Sequence, residues 1–151
     1  MSERYLAFDL GAESGRAMVG DVRAGVLELR EIRRFANEPV TRDGSLSWDV
    51  LRLWDEMRQA LTGIDAGLTG VGVDGWGVDF ALIGEGGSLL ENPYHYRDRR
   101  NDAEMRRLLS STTPDVLYAS TGIQIISLNT IFSLGAARDT AAFAEIGRAH
   151  V

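Results

Sequence analysis

The chain has 151 residues, 44% of them hydrophobic and 25% charged, which is enough for one packed core and favours a single domain. Its 16 Lys and Arg stand against 22 Asp and Glu, a formal net charge of -6, so no large basic field is available to hold nucleic acid or an anionic membrane. The lack of cysteine excludes disulfides and thiolate metal sites and fits a cytoplasmic protein, and His95 and His150 are too few for a histidine-rich metal site.

The opening, MSERYLAFDLG, lacks the long apolar region and the small-residue cleavage site of a signal peptide. No run of ~18 apolar residues is present to span a bilayer. Tyr5 to Leu10 is short and apolar and reads as a buried strand. Arg16 to Val22 is apolar again after a turn, so the two segments form a hairpin. Val26 to Phe35 sets Val26, Leu27, Leu29, Ile32 and Phe35 among charges, the pattern of a half-exposed third strand. EPVTRDGSLSWDV is a connection, with Pro39 and an Asp43-Gly44 turn signal. Val50, Leu53, Trp54, Met57 and Leu61 recur at helical spacing and predict a helix over 49–61, with Ser47 or Asp49 as its cap. Thr69 to Gly77 is a fourth strand rich in small residues. Val78 to Ile83 continues it or starts another, and Gly84 to Gly87 turns the chain into Leu89 and Leu90. Further helices are predicted over 98–109, from Thr113 with Pro114 in its first turn, and over 129–144.

This order does not alternate strand and helix from the start, as a doubly wound dinucleotide-binding domain would. It suits an α/β, ribonuclease-H-like core of the kind shared by actin, hexokinase and heat-shock ATPases. In that core a mixed sheet opens with an antiparallel three-strand meander and carries helices on its faces.

Three segments carry chemistry. In DLGAESGR, Asp9 ends a buried strand, and Gly11 and Gly15 flank Ala12, Glu13 and Ser14. Glycines let backbone N–H groups close on a phosphate. Ser14 adds a hydroxyl donor and Arg16 a positive charge, and Asp9 suits a hydrated magnesium ion, held through water. The plain alternative is a tight hairpin whose Asp caps the backbone. Glu13 opposes the phosphate reading unless its side chain points away. No Walker-type P-loop is present. In GVGVDGWGVDFALI, Gly75 and Gly77 open space beside Asp74, Trp76 and Asp79. Trp76 offers a flat face for a sugar ring, and Asp79 can accept from sugar hydroxyls; a glycine-rich strand with Trp76 in the core is the alternative. PYHYRDRRN mixes aromatic residues with Arg97, Asp98, Arg99 and Arg100, too short a cluster for nucleic acid and suited also to an Arg–Asp pair at a helix start. His95 reads as a surface or packing residue.

With LREIRRFAN, LSWDV and STGIQ, these segments run from about Tyr5 to Arg138 in an order that resembles the FGGY carbohydrate kinases, in particular those acting on L-rhamnulose. The resemblance implies two actin-like domains with ATP and sugar in the cleft between them. It implies magnesium-assisted transfer of the ATP γ-phosphate to O1 of L-rhamnulose, in L-rhamnose catabolism. Ala12, Glu13, Ser14, Gly15 and Arg16 match the family's ATP-contacting turn, Gly77 a sugar-contacting position, and Tyr96 a place where relatives carry an aromatic residue near the sugar. Ser127-Leu128 stands where the pattern has Pro-aromatic, so sugar contacts from that loop are not carried over. The family's general-base Asp has no counterpart here, so no catalytic residue is expected within the chain. The expected organisation is a truncated N-terminal kinase domain over 1–145, a non-native read-through tail over 146–151, and a second kinase domain that is absent. Rival readings are a kinase for fuculose, xylulose or a related ketose, a metal-dependent ribonuclease-H-like nuclease using Asp9, Asp74 and Asp79, and a non-catalytic nucleotide or sugar sensor.

Overall fold

A computed structural model describes residues 3–64 and 67–150, with side chains as far as residue 146. The chain divides into two units, one of Met1–Glu38 with Val50–Trp76, the other of Pro39–Asp49 with Gly77–Val151.

The first unit is built on the expected meander. β1 (Glu3–Leu10), β2 (Ser14–Arg23) and β3 (Val26–Ala36) pair antiparallel, and β6 (Gly70–Asp74) joins β1 in parallel, giving the order β3-β2-β1-β6. Ala24-Gly25 joins β2 to β3 with φ of 50° and 80°. Positive φ at both central residues is the turn whose twist matches antiparallel strands. Alternation along β1 places Leu6 and Phe8 on one face, where Ala17 and Val19 of β2 lie opposite them. Helix α1 (Val50–Thr62) covers this face with Met57 and Ala60. A bulge between Ala17 and Met18 leaves Ile32 of β3 without an opposing residue, and Ile32 packs on the same core. Burial of side chains such as Phe8 and Leu6 contributes about 1.5–3 kcal/mol each.

Two expectations are corrected in this unit. Trp54 is 54% exposed, because the buried stripe of α1 runs through Leu53 and Ala60. The fourth strand ends at Asp74, so the segment Gly75 to Phe80 is irregular rather than a strand.

In the second unit, the stretch read as a plain connection is a hairpin. β4 (Val40–Arg42) pairs with β5 (Ser45–Ser47) across Asp43-Gly44, whose φ values of 51° and 82° again form the hairpin turn. β5 is tied to the segment before α2 (Arg99–Leu109): Ser47 bridges Tyr94, His95 N–H donates to Leu46 O (3.0 Å), and Leu46 N–H donates to Asp98 (2.6 Å). Asp98 also caps α2 through the Arg100 amide (2.9 Å). Thr113 caps α3 (Pro114–Thr121), which has Pro114 in its first turn and ends on Gly122 at φ 68°.

The helix expected over 129–144 is two helices. α4 (Thr130–Ala137) stops where Thr140 donates its hydroxyl to Ala137 O (2.8 Å), and Thr140 then caps α5 (Ala141–Ala144). Phe80, Leu82 and Ala137 form this unit's core, with Leu90 and Phe143 packed on it. β7 (Ala81–Gly84) pairs with β8 (Ile146–His150), so residues 146–150, expected as a tail, run as a strand; Val151 lies outside the described residues.

Gly15 is fixed by packing, because a Cβ there would overlap the Phe35 ring. Gly15→Ala is expected to lower stability by about 1–3 kcal/mol through this overpacking. Urea unfolding measures it, and Phe35→Leu in the same chain should recover most of the loss.

Candidate functional site

The first unit brings together the residues expected to handle phosphate. Asp9 lies near the end of β1, opposite Arg16 on β2 and in register with Asp74 on β6. Antiparallel pairing on one side and parallel pairing on the other therefore set two carboxylates and a guanidinium at one sheet end. Arg16 Nη2 donates to Asp9 Oδ2 at 2.5 Å. Both side chains are more than two-fifths exposed, so the pair contributes about 0–1 kcal/mol and exchanges readily for a ligand.

The turn from Gly11 to Ser14 closes through Gly11 N–H to Ser14 O (3.0 Å). It is pinned by Asn37, a buried residue that donates its side-chain amide to Gly11 O (2.8 Å) and its backbone N–H to Glu13 O (2.9 Å). Backbone N–H groups in a turn of this kind are the groups that meet an anion. Glu13 is exposed. Exposed carboxylate oxygens with room for water suit a magnesium ion, which keeps several waters and takes few protein ligands. Asp9 fits that role, with Asp74 beside it. Among the described residues no three His, Cys, Asp or Glu side chains are grouped to hold a metal.

The second unit gathers Asp79 and Tyr96 around Trp48. The Trp48 indole is buried and donates Nε1–H to Asp79 Oδ2 at 2.6 Å, while its backbone N–H donates to Pro93 O (2.8 Å). Its ring stacks on His95 at 4.2 Å, and His95 lies against Tyr96 at 4.3 Å. His95 is thus a packing residue, its Nδ1 accepting the Arg97 N–H at 2.9 Å. Burial holds its pKa below the usual histidine value, with Arg97 adding to the effect and Asp79 and Asp98 opposing it. Asn101, also buried, donates to Tyr96 O (3.1 Å) and accepts from Ser133 (3.3 Å). The Arg100 guanidinium lies over the Tyr94 ring at 3.3 Å.

Gly77 and Gly75 have nothing within 4 Å of where a Cβ would sit. No packing neighbour of the protein explains either glycine. Trp76 belongs to the first unit and is half-buried. Val78 takes a φ of 72°, a costly conformation for a β-branched residue, and Thr130 donates its hydroxyl to the Val78 carbonyl (2.9 Å).

Asn37, Trp48 and Asn101 were not singled out as site residues from the sequence. A lone polar residue just past a strand and a Trp just past a short hairpin have no periodic signature.

Asn37→Ala should cost about 1–3 kcal/mol, because it strands the buried Gly11 carbonyl, whereas Asn37→Asp should fail similarly for want of a donor. Thermal unfolding of the two variants checks this. His95 binds its proton less readily when folded, so its contribution is complete above about pH 6.5 and is lost as the pH falls below that value. The unfolding midpoint of the native chain should therefore drop between pH 7 and 5.5 more than that of His95→Phe.

No protein-family model matches the sequence. The chain is 40% identical over 133 residues to the rhamnulokinase of Lactiplantibacillus plantarum, covering 86% of this chain and 27% of that protein. It is 36% identical over 141 residues to the rhamnulokinase of Bacteroides thetaiotaomicron, covering 91% and 29%. Against the rhamnulokinase of Bacillus subtilis it is 40% identical over 136 residues, covering 86% and 27%. The chain therefore spans less than a third of the length of these curated relatives. The crystal structure of gluconate kinase from Lactobacillus acidophilus superposes with a TM-score of 0.81 at 13% identity, covering 99% of this chain and 31% of that one. The xylulose kinase of Rhodospirillum rubrum superposes at 0.78 with 18% identity, covering 97% and 32%. The chain is a homologue of part of the rhamnulokinases and carries the fold of the FGGY-type sugar kinases.

Proposed function

We propose that the protein to which this chain belongs is a cytoplasmic rhamnulokinase, which phosphorylates L-rhamnulose at O1 from ATP. The single observation that carries the substrate is 40% identity to a rhamnulokinase over 86% of this chain. In this reading, residues 1–145 are one wall of a two-domain cleft and the general-base Asp comes from outside the chain.

The geometry of each unit supports the following roles. The amide edge of Ala12 to Gly15, held by Asn37, receives the phosphate tail of ATP, with Ser14 as hydroxyl donor. Arg16 exchanges its carboxylate partner, Asp9, for a phosphate oxygen. Asp9 then orients the waters of the magnesium ion, and that ion neutralises charge on the phosphates when bound. Trp48 holds Asp79 as an acceptor for ketose hydroxyls. Gly77 leaves room for the sugar, and Tyr96 offers a flat apolar face to it. The O1 hydroxyl attacks the γ-phosphorus, its proton passes to the base, and ADP leaves. Catalysis of this kind rests on positioning and charge stabilisation from both cleft walls, so the 151 residues alone are expected not to turn over.

The test is a coupled ADP-release assay on the complete gene product with L-rhamnulose, L-fuculose and xylulose. Turnover of L-rhamnulose at least tenfold better than the others is expected, and good turnover of another ketose alone overturns the substrate. In the same protein, Asp9→Asn should lower kcat by about 100-fold or more with little change in the ketose KM. An unchanged kcat removes Asp9 from the reaction.

A further inference from the structure

In the second unit, the Arg100 guanidinium lies over the Tyr94 ring, and its Nε–H is buried with no hydrogen-bond partner among the described residues. A buried charged donor in that position is costly, and proteins meet the need with a protein acceptor or an internal water. Arg100 lines a narrow cavity of about 10 Å³, together with Asp79, Ser133 and the apolar Phe80, Leu82 and Ala137. That is close to the least space, roughly 10–15 Å³, that admits one water, and it is too small for an organic ligand.

The polar lining suits a water as well as the volume does. Ser133 is buried and donates to Asn101 Oδ1 at 3.3 Å, and a hydroxyl that donates keeps its lone pairs for accepting. Asp79 Oδ2 accepts from the Trp48 indole, and a carboxylate offers about four acceptor sites in all. One charged N–H donor and two oxygen acceptors therefore line the same small space. They are the complement of a single water, which accepts the one and donates to the others.

We infer that this cavity binds one ordered water, which accepts the Arg100 Nε–H and donates to the Asp79 carboxylate and to Ser133 Oγ. The water is a second tether on Asp79, beside the Trp48 indole, and it joins that carboxylate to α2. Two elements of the unit thus hold one carboxylate in place. The water belongs to the folded chain itself and requires no sugar.

The full 151-residue chain, isotope-labelled at its arginine side-chain nitrogens, is followed by NMR. A direct cross-peak between Arg100 Hε and water is expected, with laboratory-frame and rotating-frame NOE of opposite sign, the signature of a held water rather than of proton exchange. Arg100→Lys, which has no such N–H, assigns the peak by its loss. Ala137→Val adds two methyls at the cavity wall and should abolish the peak. A crystal structure of the native chain is expected to show a water within about 3.2 Å of both Arg100 Nε and an Asp79 oxygen. No cross-peak in the native chain, an exchange peak only, or a peak that survives Ala137→Val overturns the site. Density on Arg100 that reaches no Asp79 oxygen overturns the tether. The two native-chain measurements decide the matter even where Ala137→Val does not fold.

Discussion

Strand β1 is the constraint on which the first unit depends. It is paired on both edges, antiparallel to β2 and parallel to β6, so its register is fixed twice. A slip of one residue would expose Leu6 and Phe8 and turn their neighbours into the core. The same register delivers Asp9 opposite Arg16 and level with Asp74. The hydrophobic face thus sets the position of the charged end, although the charged pair itself contributes little to stability.

A comparable relation holds between packing and chemistry in the second unit. Burying Trp48 requires a partner for its indole N–H, and Asp79 supplies it. The hairpin of β4 and β5 brings the indole there, and its backbone bonds to the segment 93–98 also position His95 and Tyr96. Removing polar satisfaction at one point, whether Asp98 on Leu46 or Asn101 on Tyr96, would loosen residues that face the sugar in the proposed site. Asp98 does double duty, capping α2 and holding β5.

The glycines separate into two kinds. Gly15 makes room for Phe35, and Gly135 makes room for Glu104, which pairs with Arg107 on α2. Gly75 and Gly77 make room for nothing in the protein. The first kind is explained by folding. The second lies in an irregular stretch between Asp74 and Asp79, next to a strained Val78. Glycines in different segments therefore answer to different forces, which composition alone cannot distinguish.

Local rules in the sequence determined the meander, the Asp43-Gly44 turn, the spans of α1 and α2, and the Thr113-Pro114 helix start. Each follows from alternation, capping or turn chemistry acting over a few residues. The turn between β1 and β2 was legible for the same reason, since glycine and serine beside a strand-end Asp form a contiguous pattern. Only the tertiary structure decided that Asn37 pins that turn, that Trp48 holds Asp79, that Trp54 faces solvent, and that the helix over 129–144 breaks at Thr140. Those outcomes depend on partners up to 31 positions away, or on which of several apolar residues lies over a neighbouring surface. A one-dimensional pattern carries the period of an element but not what it meets.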